Sequence, residues 1–225
     1  LTTGGILDHG GFPTVNSSTV QGLQDGACYT WKDTLGGTVP NNEYIFIDDP
    51  SPIRSGISAG NVMGGGTASF SVSTWFKGDY NAHTGPIINQ GETTASNKTY
   101  WSLYSYYSPS DVRFYLNDGT EGWNAMSAII GTRANILNGE WQHVTAVVDR
   151  EADELKVYLN GVFVTETDIS GLGSVSHTSS DVVIGAHAHY YPAGNFDGSI
   201  RDVKIFPSAL TDGDVRKLYG GENPR

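Results

Sequence analysis

A single cysteine, Cys28, stands among 225 residues, so no disulfide can form within the chain. Nothing near it supplies a base, and a lone thiol of this kind reads as a small buried residue rather than a nucleophile. Basic residues are scarce: 13 Lys and Arg stand against 24 Asp and Glu, a formal net charge of −11. Phosphate recognition needs a basic footprint, so nucleic acid is excluded as a partner. The same average opposes anionic membranes and, more weakly, sulfated or uronate-rich polymers, with Arg54 and Lys98 as local basic spots against it. No run approaches the ~20 apolar residues of a membrane span, which excludes helical membrane insertion. No signal peptide is visible in the sequence, which opens abruptly at Leu1 and reads as a processed product or an excised domain. Phosphate loops, nucleophile elbows and metal-hydrolase motifs are missing too.

Helical periodicity is nearly absent. One stretch, residues 211–219, carries it, with Thr211 as N-cap and Asp214 three residues on to complete a capping box. What fills the rest is short alternating segments between turns, consistent with 29 Gly and only 16% charged residues. Val144, Ala146 and Val148 alternate with Thr145 and Val147, and the acidic turn at 150–154 reverses the chain. Leu155, Val157 and Leu159 form the next strand. Asn160-Gly161 then supplies the positive φ angles of a two-residue hairpin, and 162–167 returns. Further strands are read at 44–47, 70–76, 87–88, 101–107, 112–116, 125–130, 182–186 and 196–206. Residues 1–26 show no sustained period, while 27–33 alternate weakly as a candidate first strand. We expect an N-terminal extension over 1–43 and one domain over 44–225.

Several of these segments carry a resemblance. Trp141-Gln-His-Val144, Val157-Tyr-Leu-Asn-Gly161, Phe196-Asp-Gly-Ser-Ile200, Ala209-Leu-Thr-Asp212 and Phe70-Ser-Val-Ser-Thr-Trp-Phe76 resemble the laminin G-like, concanavalin A-like domains. The resemblance covers roughly residues 44–220. It implies an all-β fold, an antiparallel two-sheet jelly-roll sandwich closed by a short C-terminal helix. That fold hosts lectin modules, adhesion domains and enzymes alike, so function must be argued from a site.

Aromatic residues supply the candidates. On a strand, Tyr100, Ser102, Tyr104 and Tyr106 share one face, while Trp101, Leu103, Ser105 and Tyr107 share the other. One face enters the core; the other would present tyrosines whose rings stack on sugars while their hydroxyls hydrogen-bond. The plainer alternative is that all these rings fill the sandwich. A second cluster, His187-Ala-His189-Tyr190-Tyr191-Pro-Ala-Gly-Asn195, is not needed for a core and lies in a loop, where jelly-roll lectins place recognition residues. Trp123 sits among turn residues and is a third candidate. The pair His187 and His189 lacks a nearby third His or Cys to complete a metal set.

The resemblance also implies a structural Ca2+ beside the Gly198-Ser-Ile segment. Here Arg201 fills the position that is usually acidic, with Asp202 next to it. A guanidinium cannot ligate Ca2+ and would instead replace it by pairing with carboxylates. Asp33, Asp48, Asp49 and Asp197 remain as oxygen donors or turn caps, so no cofactor is assigned. Asn16-Ser-Ser and Asn97-Lys-Thr fit the glycosylation pattern, a triplet that often arises by chance.

Chemistry finds less support. The acidic run Asp149-Arg-Glu-Ala-Asp-Glu154 falls in a hairpin turn, where carboxylates point at water rather than flank a scissile bond. A polysaccharide lyase would need His143 with Tyr190 or Tyr191. The leading expectation is therefore a non-catalytic, lectin-like module of a larger extracellular or surface-exposed protein, with glycan or polysaccharide as partner. The alternative is a structural or adhesion domain meeting protein neighbours in a cell-surface or virion assembly, and the third reading is the lyase.

Overall fold

The computed structural model describes residues 6–8, 12–14, 28–31, 45–47, 67–80, 85–91, 99–106, 110–118, 126–175, 181–185, 196, 198–206 and 208–220. In chain order the strands are β1 (Ile6–Asp8), β2 (Phe12–Thr14), β3 (Cys28–Trp31), β4 (Ile45–Ile47), β5 (Phe70–Gly78), β6 (Gly85–Gly91) and β7 (Thr99–Ser105). They continue as β8 (Asp111–Leu116), β9 (Met126–Thr132), β10 (Gln142–Asp149), β11 (Glu154–Leu159), β12 (Val162–Asp168), β13 (Asp181–Ile184) and β14 (Gly198–Phe206). A one-turn helix α1 (Arg133–Ile136) follows β9, and α2 (Asp212–Tyr219) follows β14.

Two six-stranded sheets carry the fold. Sheet I runs β12-β11-β10-β5-β14-β3 and sheet II runs β4-β13-β6-β7-β8-β9, while β1 and β2 pair as a separate hairpin. Every ladder is antiparallel. The alternation in the sequence explains the two layers. Phe70, Val72 and Phe76 of β5 and Val144, Ala146 and Val148 of β10 turn inward to meet Trp101, Leu103, Phe114 and Leu116 of sheet II in one apolar core. Trp101 is fully buried with its indole N–H donated to Gln90 Oε1 at 2.8 Å, so the core's largest ring leaves no polar atom unmet. The molecule is the antiparallel jelly-roll sandwich with a short C-terminal helix.

The turns follow their residues. Asn160 and Gly161 take φ of 51° and 75°, the left-handed pair that joins β11 to β12. Between β10 and β11, Asp149 Oδ1 accepts from the amides of Glu151 and Ala152, and Glu151, Ala152 and Asp153 are exposed. Helix α2 begins on the anticipated capping box, with Asp214 N–H donating to Thr211 Oγ1 at 3.2 Å and Thr211 N–H to Asp214 Oδ2 at 3.2 Å.

A bulge in β14 shapes one outer face. The register against β5 shifts between Arg201 and Lys204, and Asp202 takes φ 51°. One residue more on β14 than on β5 keeps Ile200 and Val203 both in the core, and leaves Arg201 and Lys204 both outside. A regular strand would instead drive Val203 out onto the surface.

The hairpin β1–β2 forms where no period was read, and α1 was not expected. The candidate first strand at 27–33 appears as β3, which pairs with β14 and so brings part of the 1–43 segment into sheet I.

Candidate functional site

Two clusters stand on the outward faces of the sheets. On sheet II, the core side is taken by Trp101, Leu103, Phe114 and Leu116, so Tyr104, Arg113 and Tyr115 turn outward. Tyr106 follows β7, its amide donating to Asp111 O at 2.8 Å across the reversal into β8. Helix α1 steadies that reversal: the Arg133 amide donates to Ser110 O at 3.1 Å, and its buried guanidinium donates from Nε to Ser105 Oγ at 3.1 Å. The rings of Tyr104 and Tyr106 meet at 4.4 Å between centroids, and each lies 6.3–6.4 Å from Tyr115. Arg113 lies over the Tyr106 ring at 4.8 Å and is gripped at two points by the Asp111 carboxylate.

Burial pushes both the Tyr104 and Tyr106 hydroxyls well above the ordinary phenol value, so both keep their protons and can donate. The hydrogen bonds that Arg113 donates to the Asp111 carboxylate raise its guanidinium pKa further, so it stays a cation. Tyr104 and Tyr106 are half-buried, and Ile129, which pairs with Arg113 from β9, is exposed. The arrangement can offer apolar ring surface, hydroxyl donors and a neutralised guanidinium together. Tyr115 and Arg113 were not anticipated as site residues, although the inward set Val112, Phe114 and Leu116 implied that they face outward.

On sheet I the outward face is covered in part by α2. His143 is 2% exposed, its Nε2 2.9 Å from Ser73 Oγ and its ring 5.0 Å from Trp75 and 5.9 Å from Tyr219. Burial is the main cause, and Lys204 an additional one, that lowers its pKa to about 4, so the ring is neutral. Ser73 and His143 thus form a hydroxyl–imidazole pair, but Nδ1 has no hydrogen-bond partner and Ser73 is only 1% exposed. A working nucleophile needs a base oriented by a third group and a route for substrate. Among the described residues no third group orients the imidazole, and His143 lies buried beside Tyr219 of α2.

Beyond His143 the same face carries a ladder of rings and cations. Trp75 stacks on Tyr219 at 5.6 Å, and Arg201 lies over Trp75 at 5.1 Å and over Trp141 at 4.4 Å. Lys77 approaches the same Trp141 ring at 5.7 Å. Arg201 makes a long ion pair with the adjacent Asp202, Oδ2 standing 3.8 Å from Nε and beyond hydrogen-bond reach, while its guanidinium lies over indole faces. Trp75, Trp141, Lys77 and Tyr219 escaped the sequence reading because each sits inside a segment read as a strand or helix landmark.

The other anticipated residues, His187, His189, Tyr190, Tyr191, Asn195 and Trp123, lie outside the described residues, as do Asp33, Asp48, Asp49 and Asp197. Among the described residues no group of three or more His, Cys, Asp or Glu comes together to hold a metal ion. No helix among them is long and apolar enough to cross a membrane.

Known proteins share this architecture. A toxin described as botulinum-like toxin eBoNT/J, from Enterococcus sp. (strain 3G1_DIV0629), is 29% identical over 84 residues, which are 37% of this chain and 6% of that one. The binding domain of botulinum neurotoxin serotype D superposes with a TM-score of 0.53 at 24% identity, over 69% of this chain and 37% of that one. The CBM40 of a Ruminococcus gnavus IT-sialidase, in complex with alpha2,3 sialyllactose, gives a TM-score of 0.59 at 16% identity over 87% of this chain and 96% of that one. This chain therefore spans a small part of the toxin and well under half of the serotype D fragment. The model of the concanavalin A-like lectin/glucanases superfamily matches residues 54–216, and the chain belongs to that superfamily.

Proposed function

We propose that this chain is a non-catalytic carbohydrate-binding module of a larger secreted or surface-exposed protein. The observation that carries the reading is the outward pair Tyr104 and Tyr106, 4.4 Å apart, backed by Tyr115 and by Arg113. Paired phenol faces stack on the C–H face of a pyranose, and hydroxyls that stay protonated direct hydrogen bonds to its own. Sandwich modules of the same fold support the reading: one is a sialidase carbohydrate-binding module and others are toxin binding domains. His187, His189, Tyr190, Tyr191, Asn195 and Trp123 are retained as further proposed glycan contacts. The occluded Ser73–His143 pair supports the non-catalytic part.

A glycan-array screen with calcium, and again with a chelator, tests the reading. Binding that falls at least tenfold in Tyr104→Ala/Tyr106→Ala, with folding retained, is expected. Unaltered binding in that variant would remove the sheet II face from the site, and unaltered binding in Tyr190→Ala/Tyr191→Ala would remove the loop.

A second reading has its own observation. Strand β12 exposes Val162 at 68%, Phe163 at 47% and Val164 at 38%, three apolar residues in a row on what is an edge of sheet I among the described residues. A structural or adhesion domain would use such an edge against a protein neighbour. No array signal under either condition would favour it.

A further inference from the structure

The ring and cation ladder on sheet I stays unused by the site on sheet II. In a chain of net charge −11, its outward face sets Lys77, Arg201 and Lys204 on adjacent strands β5 and β14. The bulge at Asp202 creates this grouping, since it brings Lys204 to the side that Arg201 already occupies. The two cations at Trp141 are only weakly neutralised. Lys77 has no carboxylate partner among the described residues, and Arg201 Nε makes no hydrogen bond, its one ion pair there being the long contact with Asp202. The nearest carboxylate, Asp202, reaches Nε only at 3.8 Å, while the Arg201 side chain remains 34% exposed.

Stacking between Trp75 and Trp141 fixes the plane of the guanidinium without using its N–H groups, because cation–π attraction acts through the face and hydrogen bonds through the edge. The edge is thereby pre-organised for a planar or three-pronged oxyanion, with Lys77 adding a point charge from the other contact on Trp141. Indole edges and the half-exposed Tyr219 give the surroundings the apolar character that suits a sugar ring.

We propose that Lys77 and Arg201, held by Trp141 and Trp75, form a second binding site that takes the carboxylate or sulfate of an acidic saccharide. The choice of a saccharide over another anion rests on the module reading above; the anion site rests on the sheet I geometry alone. The two sites lie on opposite faces of the sandwich, so one chain can engage a polymer at two points and gain from their linkage.

The test uses calorimetric titration of the whole chain with oligogalacturonate, a heparin hexasaccharide and neutral maltohexaose, in about 50 mM salt so that screening does not hide the contact. Binding of at least one acidic probe, weakened about tenfold or more in Lys77→Gln/Arg201→Gln, is the expected result. Arg201→Lys keeps the charge but loses the fork, and should fall between. If Arg201→Gln fails to fold by circular dichroism, Lys77→Gln alone should still weaken the acidic probe severalfold. Wild-type protein that binds neither acidic probe overturns the inference, and so does undiminished affinity in Lys77→Gln/Arg201→Gln. An acidic probe lost only in Tyr104→Ala/Tyr106→Ala would overturn it too, while leaving the module reading intact.

Discussion

His143 and Ser73 face each other across β10 and β5 with 2.9 Å between Nε2 and Oγ, and neither is reached by solvent. The contact keeps a neutral imidazole inside the protein, and that has a consequence for acid stability. The folded pKa is lowered to about 4 from the ordinary 6.5, chiefly by burial. Between those two values the unfolded chain takes up a proton that the folded chain refuses, so stability is full above pH 6.5 and falls as pH drops through the window. At its lower end the loss from this one group is on the order of 3 kcal/mol. His143→Gln should flatten that part of the profile. Denaturant midpoints near pH 7 and near pH 4.5, in wild type and variant, measure it; an unchanged slope in the variant would assign the acid sensitivity elsewhere.

Gly198 is the second place where one atom decides. A Cβ there would stand 2.6 Å from Phe196 Cε1 and still closer to the Lys77 carbonyl, which belongs to the neighbouring strand. Backbone cannot step aside as a flexible side chain can, so Gly198→Ala should cost about 1–3 kcal/mol. Gly139→Ala makes the comparison, since nothing lies within 4 Å of its Cβ but its φ is 85°. Strain alone should cost it less, on the order of 1 kcal/mol. Thermal melts that rank the two in the opposite order would show that β14 yields to the clash.

The cap of α2 gives a milder prediction. Thr211→Ala removes the acceptor for the Asp214 amide and should cost about 1 kcal/mol. Because Val215 of that helix packs with Val147 and Tyr158 of sheet I, the loss should register as a lower melting temperature of the whole domain. A local fraying signal with an unmoved transition would mean that α2 is energetically separate from the sandwich.

The legibility of the chain depended on length of pattern. Nine residues of β5 and eight of β10 alternate long enough to declare which side is inward. Asn160-Gly161 and Thr211 with Asp214 declare themselves through single-residue chemistry, and both were met as read. Strands of three residues, β1 and β2, offer no period to detect. Tyr104 and Tyr106 could be assigned to one face from β7 alone, but the partners that complete their cluster come from β8, and register between strands is not written in either strand. The Arg201 ladder was hidden for a sharper reason. A bulge depends on where β14 slips against β5, so the outward side of residues 201–204 cannot be counted from the sequence at all.

The middle of sheet I also imposes an order on the making of the protein. Strand β5, residues 70–78, lies between β10 and β14, so its second neighbour is synthesised more than half a chain later. Until residue 206 has left the ribosome, β5 exposes one bare edge and the apolar side chains beneath it lack their final cover. Pairings so distant in sequence close slowly, because the intervening loop must lose its freedom before any contact rewards it. Sheet I can therefore close only after β14 is made, and its closure is a late step in the folding of this domain.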